Sequence, residues 1–158
     1  MDRAAQIEER IRWRIGRHFS SLPVGRTFFF EQLNDEISDT IDPIARAHDA
    51  GKPVLVAVDG RERWTVIGTS GVVSCYAGEL QKCNLSQIAD LHNRDPMPEG
   101  LSREEHARWK TSWEYLRITD RAGQHRDIWL PAGSEAFAFW STLLMLGRMC
   151  AGMPNFYD

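Results

Sequence analysis

The chain is 158 residues long, 42% apolar and 26% charged, with a formal net charge of −3 from 19 basic and 22 acidic side chains. A domain of this length buries roughly 70% of the surface its unfolded chain would expose, so neither disulfides nor a metal is needed for a core, and the composition is not that of a disordered chain. The acidic balance excludes the overall basic excess by which nucleic-acid binders neutralise phosphates; a local basic patch is still compatible with it.

Six Trp and seven Phe predict an aromatic core, since each ring buries a large area. Cys75, Cys83 and Cys150 are odd in number and lack regular spacing, which argues against a disulfide framework. The first residues, MDRAAQIEERIRWR, are charged throughout and lack a signal peptide's apolar centre. No apolar run approaches the ~20 residues that span a bilayer. These features predict a cytoplasmic protein of one domain, residues 1–158.

Residues 1–51 read as a helical extension. Ile7, Ile11, Ile15 and Phe19 recur every four residues, with Ala4 and Trp13 beside them and Glu8, Glu9, Arg12, Arg14 and Arg17 opposite; this is an amphipathic helix of about four turns. Ser20, Ser21 and Pro23 end it, and Gly25 marks a turn. A second periodic run is Phe30, Leu33, Ile37, Ile41 and Ile44, with Glu31, Asp35, Glu36, Asp39 and Asp42 on its polar face. Pro43 cannot donate a backbone hydrogen bond, so a break is expected there, with Asp42 and Pro43 starting a short further helix.

From residue 53 the period shortens. Val54 to Val58 form a β-branched run that stops at Asp59-Gly60, a strong turn signal. Runs at 64–67 and 72–76 follow, separated by Ser70-Gly71. Residues 80–83 and 86–91 are weaker strand candidates, the second also readable as a turn of helix. Residues 92–110 form a polar insertion in which Ser102 to Glu105 resemble a capping box. Trp113, Tyr115 and Arg117 alternate with Glu114, Leu116 and Ile118, and residues 126–130 return after a turn at 120–123. Ser134 is the expected cap of a last helix carrying Phe137, Trp140, Leu143, Leu144 and Leu146. Its weak end is set by Gly147 and Gly152, and an extended tail of residues 153–158 follows.

The segments VLVAVDGRERWTVIGTSGVVSCY, LQKCNLSQIADL, EYLRITDRAGQHRDIWLPAG and SEAFAFWSTLLMLGRM together resemble a bacterial pleckstrin-homology-like (PH-like) domain over residues 53–150. The resemblance implies an α+β fold: N-terminal helices, then a seven-stranded antiparallel barrel or sandwich capped by the C-terminal helix. The face with Phe137, Trp140 and Leu144 would plug one open end. The family includes lipid binders, peptide binders and scaffolds, so fold alone does not assign function.

Three groups of residues carry functional expectations. Glu31, Asp35, Glu36, Asp39 and Asp42 form the most one-sided charged stretch, a docking surface for a basic protein partner or an ordinary wet helix face. Lys52, Arg61 and Arg63 flank the first hairpin much as phosphoinositide-binding PH domains place cations, because ammonium and guanidinium groups hold phosphates. That would bind anionic lipid or a membrane surface; a solvated hairpin tip is the plainer alternative. His92, Asp95, Glu104, Glu105 and His106 could converge within the insertion as a hydrolytic or metal site, although no two histidines stand at metal-ligand spacing. Trp109 and Trp113, with Trp64 and Trp129, would line one side of the barrel. No nucleophile elbow, phosphate loop or dinucleotide motif is present, and no cofactor or catalytic residue is assigned. The expectation is a non-enzymatic protein-interaction module, in one version an immunity or antitoxin-like inhibitor.

Overall fold

In the computed structural model, which describes residues 2–151, the chain opens with helix α1, Arg3–Gly16. Asp2 caps it, its Oδ1 accepting from the amide of Ala5 at 2.7 Å. Ile7, Ile11 and Ile15 are buried as their spacing predicts. A short strand, β1 (Thr27–Phe29), follows, where the sequence signals only a turn. Three residues are too few to show a period of two.

After a 3₁₀ turn at Phe30–Gln32, helix α2 runs Asp35–Ala47. Its cap is Asn34, whose Oδ1 accepts from the Ile37 amide at 2.9 Å. The expected break at Asp42-Pro43 does not occur, because Pro43 lies inside α2. Pro43 is exposed, as is Asp39 four residues before it. The carbonyl deprived of its partner therefore faces water, where solvent replaces the lost bond.

Four strands then form a meander: β2 (Pro53–Asp59), β3 (Arg63–Gly68), β4 (Gly71–Tyr76) and β5 (Glu79–Asn84). With β1 on the outer edge of β2 they make a five-stranded antiparallel sheet, sheet A, in the order β1-β2-β3-β4-β5. A 3₁₀ turn at Leu85–Gln87 leads to β6 (Ile88–Asn93), so segment 86–91 is part turn and part strand. Helix α3 (Arg103–Lys110) occupies the insertion, capped by Ser102, which accepts from the Glu105 amide at 3.1 Å. Strands β7 (Tyr115–Asp120) and β8 (His125–Trp129) complete a three-stranded antiparallel sheet B with β6, and α4 (Ser134–Cys150) ends the described fold. Among the described residues the architecture is α+β with eight strands in two sheets. The sheets share no paired strands and do not close into a barrel.

Sheet A is covered on both faces, which explains why β2, β3 and β4 read as nearly continuous apolar runs. Leu55, Ala57, Ile67 and Val72 face the main core with α1, α4 and sheet B, while Val56, Val58, Trp64, Val66 and Val73 form a second cluster with Ile41 and Ala45 of α2. The four tryptophans expected on one side are thus dispersed. Trp64 lies under α2, Trp129 is in the main core, and Trp109 meets Trp113 edge-on at 5.3 Å beside α3.

On α4 the buried face is Phe139, Leu143 and Leu146, each at 0% exposure, whereas Phe137 is 57% exposed. The expected plug of Phe137, Trp140 and Leu144 is therefore corrected. Trp140 and Leu144 are only partly buried at the core's margin. The helix starts one residue earlier than expected, with Gly133 rather than Ser134 at the cap. Gly147 is no mere weak end: a Cβ there would sit 3.1 Å from Ile88, so its bareness lets α4 lie against β6.

One buried polar bridge ties the sheets together. The backbone amide of Trp129 donates to Ser74 Oγ at 3.0 Å, its carbonyl accepts from Thr65 Oγ1, and the two hydroxyls lie 2.7 Å apart. Thr65→Val keeps the shape and removes the donor, leaving a buried carbonyl unpaired. The expected loss is about 1–3 kcal/mol, read as a lower urea midpoint, and Thr65→Ser should lose much less. Equal midpoints for wild type and Thr65→Val would mean that the bridge contributes nothing.

Candidate functional site

The apolar side of α2 rests on sheet A through Ile41 and Ala45, with Ile37 and Ile44 partly buried beside them. Asp35, Asp39 and Asp42 recur at i, i+4 and i+7 and so share one outward stripe, with Glu36 next to it. Glu31 is not on α2; it lies in the preceding 3₁₀ turn. Arg12 holds it in a two-pronged pair at 2.7 and 3.2 Å, and this bond keeps the Glu31 carboxyl below the usual carboxylate range. Glu36 pairs with Arg61, and Asp42 pairs with Arg46 at 2.9 Å. Asp35 and Asp39 are exposed and take part in no ion pair among the described residues. Of the five acidic residues, these two present charge with no cation beside it. Asp35 also sits in the first turn, where the helix dipole favours a carboxylate.

The three hairpin cations are not brought together. Lys52 precedes β2 and Arg61 follows it, and seven extended residues span about 23 Å. Each cation already has a carboxylate. Lys52 Nζ is 2.8 Å from Glu8, Arg61 pairs with Glu36, and Arg63 pairs with Asp59 while its guanidinium lies 4.8 Å from the Trp129 ring centre. The Lys52 bond is also the first cause of a lowered Glu8 pKa.

Within the insertion, His106 stacks near Trp109 at 6.3 Å between ring centres, and His92 lies on β6 with Nδ1 3.5 Å from Asp90. Asp95 is held by Arg94 at 3.2 Å. Glu104 and Glu105 are exposed in the first turn of α3. A pocket of about 440 Å³ lies among Met97, Pro98, Leu101, Arg103 and His106, and His92 does not line it. Among the described residues, no group of three or more His, Cys, Asp or Glu side chains is placed to hold a metal. Burial raises the thiol pKa of Cys75, Cys83 and Cys150, which disfavours the reactive thiolate.

At the far end of sheet A from the first hairpin, an open polar groove of about 740 Å³ is lined by Arg3, Arg46, Asp49, Ser70, Asn84 and Ser86, among others. Its cations are engaged, Arg46 by Asp42 and Arg3 by the Met149 carbonyl at 3.2 Å.

A further surface escapes sequence reasoning. Trp13, expected beside the apolar stripe, is 46% exposed. Three guanidinium groups surround its ring, from Arg10, Arg14 and Arg17, at 4.6, 5.3 and 5.7 Å from the centroid. Four residues after Arg14 comes His18, whose pKa is lowered by burial and then by the charge of Arg14. The His18 ring is 5.6 Å from Phe137, and Phe137 is 5.5 Å from Trp140. Arg10, Arg14 and Arg17 at spacings of four and three were the available signal. The net acidity of the chain masked it, and nothing local announces that α4 lies alongside.

No family model, curated protein or solved structure matches the chain. The described residues form an α+β fold of four helices and two antiparallel sheets. No helix among the described residues is long and apolar enough to cross a membrane.

Proposed function

We propose that the protein is a non-enzymatic protein-interaction module that docks a basic partner on the outward stripe of α2. The observation that carries this reading is the exposed Asp35 and Asp39 pair, neither with an ion-pair partner among the described residues, on a helix whose other side is seated on sheet A. A rigid helix with fixed charges speeds encounter with a complementary surface and sets its register. One version is an immunity or antitoxin-like inhibitor that covers its partner's active surface. We read residues 53–150 as PH-like; the supporting order is a four-strand meander β2–β5, a three-strand sheet β6–β8 and a closing helix α4. The three free cysteines are in keeping with work in the cytoplasm.

The test is a tagged capture from host lysate at low and high salt, followed by association kinetics with the captured partner. Asp35→Lys with Asp39→Lys should slow association about tenfold or more at low salt and flatten the salt dependence. An unchanged rate and an unchanged salt slope would remove α2 as the interface.

A further inference from the structure

We propose that the surface shared by α1 and α4 seats the protein on an anionic lipid bilayer, with Trp13 and Phe137 entering the headgroup layer and Arg10, Arg14 and Arg17 facing lipid phosphates. This surface is distinct from the hairpin cations and from the α2 stripe, and the inference does not depend on the docking role of α2.

Three observations lead to it. First, Trp13 and Phe137 are two of the exposed large apolar side chains of the molecule, at 46% and 57%. They lie along one stretch of surface, because Arg14, which meets Trp13, stands four residues before His18, and His18 meets Phe137. Exposed apolar rings that join into a patch mark an interaction surface, whereas scattered ones need no explanation.

Second, the charge beside the rings is predominantly basic, with Arg10, Arg14 and Arg17 around Trp13 against the single carboxylate of Glu9 one turn before it. Arg14 and Arg17 form no ion pair among the described residues. Of the two adjacent acidic residues of α1, Glu8 is engaged by Lys52 and Arg12, which leaves Glu9 against three arginines. Arginines beside an indole match the headgroup region, where a ring with a polar edge sits at the water boundary and cations reach phosphates.

Third, the geometry disfavours the other polyanions. Nucleic-acid platforms stack bases on bare aromatic faces, but guanidinium groups already surround Trp13. A bound acidic peptide would want a cleft, and the pocket and groove described above are not lined by Trp13 or Phe137. A bilayer asks only for a protruding patch. Because α1 and α4 pack on one face of sheet A and α2 on the other, a molecule held this way keeps α2 available.

The experiment is co-sedimentation of the full chain with phosphatidylcholine vesicles, with and without phosphatidylserine, at low and high salt. The protein should pellet only with the anionic vesicles and be released as salt rises. Arg14→Gln with Arg17→Gln should weaken partitioning about thirtyfold. Phe137→Ala, at an exposed site where folding is not at risk, should weaken it several-fold with an unchanged melting curve. Wild type left in the supernatant with anionic vesicles at low salt overturns the proposal. So does pelleting that neither variant affects, which would place the contact elsewhere. Tight binding of a fluorescent oligouridylate, lost in the same variants while vesicles fail to pellet the protein, would replace the bilayer by single-stranded nucleic acid.

Discussion

Replacing Phe139 by alanine should lower the unfolding free energy by about 3–5 kcal/mol, while Phe137→Ala, two residues earlier on the same helix, should change it by no more than about 0.5 kcal/mol. Phe139 is fully buried where α4 meets the main core. Truncation removes apolar contact and leaves a cavity that the strands of sheets A and B cannot collapse into. Phe137 is 57% exposed, with its contacts to His18 and Trp140 at the surface. For a chain of this size each kcal/mol is about 2–4 °C in melting temperature. The first variant should therefore melt roughly 6–20 °C lower and the second within about 2 °C of wild type. Equal melting temperatures, or the reverse order, would mean that α4 is rotated about its axis relative to the described arrangement.

A second large effect is expected at Gly68. A Cβ built there would meet the Ala50 carbonyl oxygen at 2.1 Å, the Ala50 carbonyl carbon at 2.9 Å and the Lys52 carbonyl oxygen at 2.9 Å, all backbone atoms. These atoms cannot simply turn aside. The Ala50 carbonyl accepts from the amides of Ser70 and Gly71 at 2.9 and 3.2 Å, and the Lys52 carbonyl accepts from Thr69 at 3.0 Å. The Lys52 amide in turn donates to Thr69 Oγ1 at 3.0 Å. Making room for a methyl group means pulling residues 50–52 off the β3–β4 turn and breaking several of these bonds. Overpacking alone costs about 1–3 kcal/mol and each lost bond about 1 kcal/mol, so Gly68→Ala should cost about 3 kcal/mol or more. Denaturant titration checks this. A midpoint within error of wild type would show that the 50–52 segment does not approach Gly68 so closely.

The parts of the fold that were legible are those whose signals are local. The four-residue spacing of Ile7, Ile11 and Ile15 needs only α1 itself. Asp59-Gly60 and Ser70-Gly71 mark the bends of the meander through residues whose backbone preferences are their own. Ser102 caps α3 for the same reason. Misreadings occur where the neighbourhood decides. α4 is apolar nearly all round, so its periodicity offers several faces, and only its seating in the core that also holds Leu91, Ile118 and Ile128 selects Phe139 over Phe137. Pro43 breaks a helix by rule, yet its place on the wet side of α2 made the rule weak. β1 exists because β2 provides an edge for it to pair with.

The candidate sites divide in the same way. The acidic residues were visible as a run, but their neutralisation was not. Glu31 is answered by Arg12, nineteen positions away, and Glu36 by Arg61. Lys52 finds Glu8 across 44 positions. Such pairings depend on which elements the sheets bring side by side. The arginines around Trp13 were equally out of reach, since a sum over the whole chain cancels a patch confined to one helix.

Sheet A divides the apolar interior into two compartments with no residue in common. The smaller one has α2 as its lid. A brief excursion that lifts α2 would empty that compartment and leave the one between α1, α4 and the sheets intact, so such a local opening should cost less than global unfolding. The amides of α2 should therefore trade hydrogen for deuterium ahead of those in β2 and β3. Anything that grips Asp35 and Asp39 would slow that trade without touching the rest of the chain. Under the proposed docking role of α2, exchange in that one helix would report partner engagement independently of contacts on the opposite face.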